Sequence, residues 1–572
     1  MHLGLPTRSV HGLPIIEHAE FGRNVPDEAM PDEDKMNLGK IYHMGKEEAA
    51  GLILNRQAMA SHTFITGSTG TGKSNAVYHL LDEITKNGQT TFLVVEPAKG
   101  EYKNVFGNCT DVQVFGTNPR ETPLLRMNPF AFPENIHILE HIDRLVEIFN
   151  ACWPMYAAMP AVLKDAIERS YQKVGWDLRN SESEKGIFPT FFDLLDILPG
   201  VIEESHYSKD TQSDYVGALC TRVKSLTNGI YGSVLCAEDA LSDAEMFDQN
   251  VIVDLSRVGS METKSLLMGI LVMKLQEYRM CSSGMNSRLR HVTVLEEAHN
   301  LLRKTSAEQS QEGANLQGKS VEMLANAIAE MRTYGEGFII ADQAPGLLDM
   351  SVIRNTNTKI ILRLPDEEDR KLVGKSAALK EAQIDELSKL PLGVAAVYQN
   401  EWPEAVLCKI EAYPMPENAV YHKPSKMPHE INAEFVFGQL AVGKELEPLS
   451  SSEMEQLKLW LKRHETVLKP EDSRYLERVF AGGELDVAKT RKAVFDFFGG
   501  IGTVVDYCAA AKKSLTPRKE FLEQLQGQYG LKAAAADWVL NSVISMGMSL
   551  NPDAKAVDNL RTNFEQQGGR VL

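Results

Sequence analysis

Residues 62–74 read HTFITGSTGTGKS, and this stretch constrains the fold more than any other part of the chain. Residues 67–74 fit the pattern G-x-x-x-x-G-K-[ST] at every position. A short apolar run precedes the loop, and Val77, Leu80, Leu81 and Ile84 follow it at helical spacing. The sequence therefore predicts a strand–loop–helix unit whose glycine-rich backbone surrounds a phosphate chain at a helix N-terminus.

The same pattern gives each loop residue a role in binding ATP and Mg²⁺. We expect Lys73 to reach the β- and γ-phosphates and the Ser74 hydroxyl to hold Mg²⁺. The full set of predicted nucleotide-binding residues is Gly67, Ser68, Thr69, Gly70, Thr71, Gly72, Lys73, Ser74 and Asn75.

A second motif, VTVLEEAHNLL at residues 292–302, places two carboxylates at the end of an apolar, β-rich run. An ATPase with a P-loop needs a second strand that ends in an acid supporting Mg²⁺, followed by an acid that polarises the attacking water. We assign Glu296 to the magnesium ion and Glu297 to the water. The alternative is a solvated helix start with two favourable acids.

Further strands are predicted along the chain, with helical segments between most of them. These strands are residues 91–95, 112–115, 251–256, 337–342 and 359–364, and residues 395–399 and 404–410 are expected to form a closing antiparallel pair. Strands that alternate with helices indicate an α/β fold with a parallel-dominated sheet. The fold class predicted is a P-loop ATPase core with a helical insertion and a C-terminal helical domain.

The composition suggests three regions. Residues 1–60 form a short N-terminal region, residues 61–424 the ATPase core with a helical insertion at about 124–240, and residues 425–572 a helical domain. In the insertion, Ile138, Ile142, Leu145 and Phe149 form one helical stripe. In the C-terminal domain, the sequence at 452–455 is a capping box that predicts a helix start.

The net charge and the cysteine content limit the classes of function and the cellular compartments that fit this chain. The net charge of −18 counts against a simple surface DNA binder, although a ring could still carry a few cations in its pore. The seven cysteines include no C-x-x-C pair, which favours a reducing compartment. We find neither a secretory signal nor an apolar run long enough to span a bilayer, and therefore expect a cytoplasmic protein.

The polar stretch TSAEQSQEGANLQGKS, residues 305–320, follows the paired acids. Its composition predicts an exposed loop. A loop that faces a pore or a partner is the alternative, because Arg303, Lys304 and Lys319 could contact phosphate backbones without reading bases.

Four segments together resemble the HerA branch of the FtsK–HerA superfamily of hexameric DNA-pumping ATPases. They are HTFITGSTGTGKS, VVEPAKGEYK, VLEEAHNLL and GEGFIIADQAPGLLDMSVIRNTNTKIILRL, and the resemblance covers roughly residues 38–412. The motor core is also similar to the ATPases of conjugative type IV secretion. The resemblance implies a RecA-like core in a ring, with ATP between subunits.

The resemblance also implies roles for residues outside the two motifs. Gln343 matches the polar residue that senses the γ-phosphate or orients water, while Arg363 and Arg332 are candidates for an arginine supplied to the neighbour's ATP. The alternative for Arg363 is a surface residue on an edge strand, and the alternative for Arg332 is a cation at a helix C-terminus. Glu96 and the segment KGEY at 99–102 are expected to line the site.

Two departures from the family suggest an offshoot. Residues 1–60 are too few for the β-barrel domain with which HerA proteins usually begin, although they could be a barrel remnant or a docking platform for a partner. The usual first acid is Asp, and here it is Glu296. Some members with this shortened layout are paired with a nuclease or a sirtuin-like NAD-hydrolysing effector in antiphage defence.

We therefore predict a homo-oligomeric ring, with six subunits expected, that hydrolyses ATP, engages DNA without sequence specificity and acts with such an effector. One alternative is an ATP-gated scaffold that assembles and activates the effector without processive translocation. A second alternative is an ATPase of conjugative type IV secretion.

Overall fold

The computed structural model describes most of the chain, which divides into two compact units. The first lies within residues 1–182 and 188–423, and the second within 183–187 and 424–572. The described residues are 19–23, 30–156, 158–183, 186–237, 240–305, 313–415, 419–423, 457–458, 470–480, 483–512, 516–529 and 533–571. The predicted capping box at 452–455 lies outside them.

In the described part, one eleven-stranded sheet organises the first unit, and a two-stranded sheet lies in the insertion. The strands are β1 (Lys35–His43), β2 (Lys46–Asn55), β3 (Thr63–Thr66), β4 (Thr91–Glu96), β5 (Val112–Gly116), β6 (Trp176–Asp177), β7 (Glu182–Ser183), β8 (Asn250–Asp254), β9 (His291–Glu296), β10 (Glu336–Asp342), β11 (Thr358–Ile361), β12 (Val394–Gln399) and β13 (Val406–Ile410).

The helices of the first unit are α1 (Lys73–Thr85), α2 (Tyr102–Phe106), α3 (Ile138–Cys152), α4 (Met159–Lys173), α5 (Phe191–Glu204), α6 (Lys209–Tyr215), α7 (Thr221–Thr227), α8 (Gly229–Leu235), α9 (Asp243–Phe247), α10 (Met261–Ser282), α11 (Gly313–Glu330), α12 (Met350–Arg354), α13 (Glu367–Ser376) and α14 (Glu381–Glu386). Short 3₁₀ helices lie at Asp32–Asp34, Gln57–Ser61, Ala298–Asn300, Met331–Tyr334 and Pro345–Leu347, and a π-helical turn lies at Val216–Cys220.

The strand order is β2-β1-β13-β12-β11-β3-β10-β9-β4-β8-β5. From β11 to β5 neighbouring strands are parallel, and from β2 to β11 they are antiparallel. The predicted α/β class with a parallel-dominated sheet and a closing antiparallel pair is confirmed. Because parallel strands end at the same edge, the segments that follow β3, β4, β9 and β10 meet there.

Both faces of the sheet are buried, which explains why its central strands are apolar throughout. Side chains of β4 alternate between the faces: Phe92 and Val94 belong to the cluster that contains α1, whereas Leu93 and Val95 belong to the cluster that contains α3 and α10. The stripe predicted for the insertion is confirmed, because its four apolar side chains in α3 are fully buried.

Two regions differ from the sequence-based expectation. Strands β1 and β2, which lie in the predicted N-terminal region, extend the main sheet because β1 pairs with β13. The stretch 305–320 was expected to be a loop, but α11 begins at Gly313 and includes Lys319. This helix has a buried apolar face formed by Val321, Leu324 and Ile328. These apolar residues follow the polar stretch, so the composition of residues 305–320 alone predicts a loop.

The second unit is helical, which confirms the predicted C-terminal helical region. Its described helices are α15 (Pro470–Phe480), α16 (Val487–Phe497), α17 (Gly500–Ala511), α18 (Pro517–Tyr529), α19 (Ala533–Leu550) and α20 (Ala554–Gln566). Leu476, Phe497, Tyr507, Leu540 and Phe564 belong to its separate apolar core. Within the described ranges, no single helix is long and apolar enough to cross a membrane; α16 and α17, bent by 64°, reach that length and composition only as a pair.

Candidate nucleotide site

The P-loop connects β3 to α1, as predicted, and its glycines have conformational reasons to be there. Gly70 and Gly72 have φ angles of 75° and 106°, in the left-handed region that favours glycine. A Cβ at Gly67 would lie 2.7 Å from the Thr71 hydroxyl oxygen, which itself donates to the Ser68 carbonyl across 2.7 Å. The loop is thus tightly closed, and its backbone lies at the N-terminus of α1.

Lys73, the first residue of α1, is buried and extends toward the two acids at the end of β9. Its Nζ atom lies 3.4 Å from Glu296 Oε2 and 3.3 Å from Glu297 Oε1. The P-loop lysine and the paired acids, which are 223 residues or more apart in the chain, therefore share one site. This convergence was predicted from the two motifs.

Glu296 is buried at the last position of β9 and accepts a hydrogen bond from Tyr102. The Tyr102 hydroxyl donates to Glu296 Oε1 across 2.5 Å. Burial, with the Glu296 charge adding to it, raises the pKa of Tyr102 well above its ordinary value, so the phenol keeps its proton and remains a donor. Tyr102 lies in the KGEY segment, and the structure makes it a positioning residue for Glu296.

Glu297 follows the strand in a strained conformation. Its φ of 45° and ψ of 52° place a non-glycine residue in the left-handed region. The Gln343 amide donates to Glu297 Oε1, and the Thr69 hydroxyl donates to Gln343 Oε1 across 2.6 Å. A chain of hydrogen bonds therefore runs from the P-loop through Gln343 to Glu297, and it brings together three residues from separate sequence motifs.

His299 and Asp342 form a pair that the two sequence motifs do not predict. Asp342 Oδ2 accepts from the His299 backbone N–H across 2.8 Å and lies 3.0 Å from His299 Nδ1. The hydrogen bond with Asp342 raises the pKa of His299, against the effect of burial. His299 Nδ1 also lies 3.6 Å from Glu297 Oε2. The pair can thus orient Glu297 through Oε2, while Lys73 faces Oε1.

Ligand atoms of Glu297, His299 and Asp342 lie within 4.8 Å of one another, close enough in principle for a metal ion. Asp342 is already engaged, because its other oxygen accepts the Ala344 backbone N–H across 2.9 Å. We therefore interpret these three side chains as a hydrogen-bonded support for Glu297.

Glu96 ends β4 beside Glu296, as expected for a residue that lines the site. Burial raises the pKa of Glu96 to about 8, and the Asp254 and Glu296 carboxylates act in the same direction. The Glu101 and Tyr102 backbone N–H groups donate to it across 2.7 and 3.1 Å. Glu96 therefore fixes the start of α2, and with it the position of Tyr102.

The two candidate arginines lie at opposite edges of the sheet. Arg363 follows β11, which ends at Ile361, and its carbonyl accepts the Ser68 backbone N–H across 3.0 Å. Arg332 is exposed and precedes β10, so the seven residues of that strand, about 3.3 Å each, separate it from the P-loop edge. The structure brings Arg363 to the P-loop of its own chain and does not bring Arg332 there.

The remaining predicted residues lie at the start of α1 and in the segment after the acid pair. Ser74 is half-buried beside Lys73, and Asn75 holds the segment after β13, since its side chain bonds the Glu411 carbonyl across 3.0 Å. Arg303 and Lys304 are exposed after the acid pair. Residues 306–312 of the polar stretch 305–320 lie outside the described residues.

The site has the chemistry that an ATPase of the P-loop class needs: a phosphate-binding loop, a lysine and two acids at the end of β9. Comparison with known proteins agrees with this class. Residues 36–275 match the family described as "Helicase HerA, central domain". This match covers less than half of the chain, and it agrees with the predicted resemblance to the HerA branch.

Relatives and solved structures place the similarity over about two thirds of the chain. A probable helicase of Methanocaldococcus jannaschii is 23% identical over 70% of this chain and 76% of its own length. The DNA double-strand break repair helicase HerA of Sulfolobus acidocaldarius is 26% identical over 66% of this chain and 69% of its own. VirB4 of Thermoanaerobacter pseudethanolicus shares the fold with a TM-score of 0.50, at 17% identity, over 67% of this chain and 98% of its own.

Proposed function

We propose that this protein is a Mg²⁺-dependent ATPase that assembles as a ring, engages DNA and uses ATP hydrolysis to move along it. One observation carries the proposal: Lys73, Glu296, Glu297 and Gln343 converge on the P-loop at one edge of the sheet. The similarity to helicases named HerA supports the DNA substrate.

The side chains divide the work of phosphoryl transfer to water. The P-loop amides and Lys73 bind the β- and γ-phosphates, since backbone N–H groups and an ammonium complement their charge. Ser74 and Glu296 present a hydroxyl and a carboxylate, the oxygen ligands that Mg²⁺ prefers. When bound there, the ion would neutralise charge on the phosphate oxygens.

Glu297 is the residue proposed to orient the attacking water and receive its proton. Glu297 is the last residue in the Thr69–Gln343–Glu297 chain of hydrogen bonds. When residues of this chain contact the γ-phosphate, the hydrogen bond from Gln343 changes the orientation of the Glu297 carboxylate. Gln343 thus senses the γ-phosphate and positions the base. The strained φ of Glu297 is typical of residues held for function.

In a ring, the two candidate arginines would have different roles, because only one of them lies beside the P-loop of its own chain. Arg332 lies at the other end of β10 from its own P-loop, so a role in hydrolysis would have to be on the nucleotide of another subunit, where such a residue contributes about 10³–10⁵-fold in rate. Arg363 lies beside its own P-loop, which supports a role there rather than in the neighbour. Six subunits are expected, as in the superfamily.

The resemblance to HerA-like ATPases that act with an effector is the basis for proposing a partner protein. We expect an effector protein, either a nuclease or a sirtuin-like NAD-hydrolysing enzyme, and a setting in antiphage defence. A scaffold that activates this effector with little translocation is the second candidate, and the net charge of −18 favours it, because a DNA motor more often carries a basic surface. The similarity to VirB4 concerns the fold alone.

The test compares ATP hydrolysis with and without double-stranded DNA in the wild type, Lys73→Ala and Glu297→Gln. We expect DNA to stimulate the wild type, Lys73→Ala to lose ATP binding, and Glu297→Gln to bind ATP without turnover. Normal hydrolysis by Glu297→Gln would refute the assignment of the acids. An ATPase that ignores DNA but requires the effector would favour the scaffold.

The solution mass, measured with and without ATP–Mg²⁺, tests the ring separately. A hexamer supports the proposal. A stable monomer that hydrolyses ATP would retain the nucleotide site but remove the ring and the arginine supplied from a neighbour.

A further inference from the structure

Tyr78 is a buried aromatic residue of α1 that lies about one helical turn beyond Ser74. It is the fourth residue after Ser74, and side chains at that spacing are neighbours on one face of a helix. Tyr78 is only 5% exposed, and a buried tyrosine hydroxyl usually has a hydrogen-bond partner. The spacing on α1 makes Ser74 the nearest candidate for that partner.

The Tyr78 phenol accepts a hydrogen bond from the Ser74 hydroxyl. Burial raises the pKa of Tyr78 well above its ordinary value, so the phenol stays protonated, whereas its hydrogen bond with Ser74 acts to lower that pKa. A hydrogen bond lowers the pKa of an acid when it is donated to the oxygen that becomes charged. The Ser74 hydroxyl is therefore the donor, and its own lone pairs remain available for a metal ion.

The two oxygens of Glu296 already face other donors. Tyr102 donates to Oε1 across 2.5 Å, and the Lys73 Nζ atom lies 3.4 Å from Oε2. Tyr78 takes the Ser74 proton without competing for either oxygen. The hydroxyl and the carboxylate assigned to Mg²⁺ are thus each oriented by a different tyrosine.

The Tyr78 ring packs on the tyrosine that positions Glu296. Its centroid lies 5.0 Å from that of Tyr102, with the ring planes at 81°, which is an edge-to-face arrangement. Phe106 and Tyr413 pack on the same ring, with centroids 5.9 and 6.2 Å away. The Tyr78 ring is therefore held by three aromatic neighbours, and the position of its hydroxyl is fixed with it.

We propose that Tyr78 is a positioning residue for the magnesium ligands: its hydroxyl orients Ser74, and its ring supports the Tyr102 side chain that holds Glu296. This role rests on the proposed function, in which Ser74 and Glu296 hold the ion. The two ligands come from α1 and β9, and one buried side chain links the contacts that fix them. Residues that orient metal ligands in this way contribute about 10–100-fold to metal affinity or activity.

The experiment measures the binding of Mn²⁺, which takes the same oxygen ligands as Mg²⁺, to the full-length protein in the presence of ADP. Electron paramagnetic resonance detects the free ion, so the measurement needs no turnover. In Tyr78→Phe, which keeps the ring and loses the hydroxyl, we expect the dissociation constant for Mn²⁺ to rise about tenfold. ADP affinity without a metal ion should stay at the wild-type value. Tyr413→Phe is the matched control, because it removes a hydroxyl from the same aromatic group at a residue outside α1.

A double-mutant cycle with Ser74→Ala shows whether Tyr78 acts through Ser74. In the Ser74→Ala background, Tyr78→Phe should have little further effect on Mn²⁺ affinity. A tenfold loss in both backgrounds would overturn the role of Tyr78, and so would an equal loss of metal-free ADP affinity. Wild-type Mn²⁺ affinity in Tyr78→Phe, together with a loss in Ser74→Ala, would also overturn it and leave the proposed function intact. Failure of the proposed function is a separate result: Ser74→Ala would bind Mn²⁺ as tightly as the wild type does.

Discussion

The Tyr102 hydroxyl and the Glu296 carboxylate lie 2.5 Å apart, and the hydrogen bond between them is fully buried. Glu296 also faces Lys73 at 3.4 Å, so one of its oxygens is held by a neutral donor and the other lies near a cation. Substitution of the usual Asp by Glu lengthens this side chain by one methylene. The tyrosine restricts the additional freedom and keeps the carboxylate at the P-loop.

Tyr102→Phe should therefore weaken the binding of magnesium without unfolding the protein. Loss of a residue that orients a metal ligand costs about 10–100-fold in metal affinity or activity, so we expect the Mg²⁺ concentration at half-maximal ATPase to rise by about tenfold. A magnesium titration of ATPase activity measures this. Tyr171→Phe removes a buried hydroxyl that donates to Phe130 in the insertion, and its magnesium midpoint should match the wild type. Equal midpoints for both variants would contradict the role of Tyr102.

Mixed rings should distinguish the two arginines. In a mixture of Arg332→Ala and Lys73→Ala chains, each inactive alone, a Lys73→Ala subunit can supply its intact Arg332 to a neighbour with an intact P-loop. We expect ATPase activity to return on mixing. Arg363→Ala mixed with Lys73→Ala should remain inactive, because the Arg363 backbone is bonded to the P-loop of its own chain and we propose that its side chain acts on the nucleotide there. The reverse pattern, with activity restored only for Arg363→Ala, would exchange the two roles.

Much of the site could be predicted because its parts are local. The P-loop is a contiguous strand–loop–helix pattern, and the two acids end an apolar run whose length suits a buried strand. Each motif carries its own chemistry, so Lys73 and Glu297 could be assigned to one site before their distance was known. The parallel sheet follows from the alternation of strands and helices.

Contacts set by strand order could not be predicted in this way. Asp342 reaches His299 because β10 pairs with β9 in a register that places Ala341 beside Glu296. Tyr102 reaches Glu296 because β4 is the other neighbour of β9. Neither adjacency leaves a signal in the local sequence, since a buried strand is apolar on both faces whichever strand lies next to it.

The Asp342–His299 pair makes a pH-dependent contribution to stability. Its hydrogen bond raises the folded-state pKa of His299 above the ordinary value of 6.5, so the stabilisation is fully present below pH 6.5 and is lost as the pH rises through the folded-state value. His299→Gln should therefore reduce the free energy of unfolding more at about pH 5.5 than at about pH 8.5. Denaturant titrations at both values measure the difference.

The matched background for that experiment is Asp342→Asn, which removes the carboxylate partner. In this background His299→Gln should have the same effect at both pH values, because the interaction that raises the pKa is absent. A pH-dependent loss that persists without Asp342 would assign the effect to another group, such as Glu297 at 3.6 Å.

A buried ion pair at the other edge of the sheet gives the last prediction. Glu336 is fully buried and lies 2.9 Å from Arg279 Nε and 2.8 Å from His291 Nδ1. Burial alone would raise its pKa, but His291 and Arg279 lower it to about 2. Glu336→Gln leaves Arg279 short of a buried partner, and we expect a loss of about 3–5 kcal/mol in unfolding free energy at neutral pH. Because the pKa of Glu336 is depressed from 4.5, this contribution is present above pH 4.5 and should vanish as the pH falls toward 2, where wild type and variant converge.

The control variant is Glu404→Gln, which breaks an exposed pair with Lys380 and should cost less than about 0.5 kcal/mol. Denaturant titration measures the loss of unfolding free energy in both variants. Similar losses would contradict the prediction that the buried pair of Glu336 stabilises the fold more than an exposed pair does.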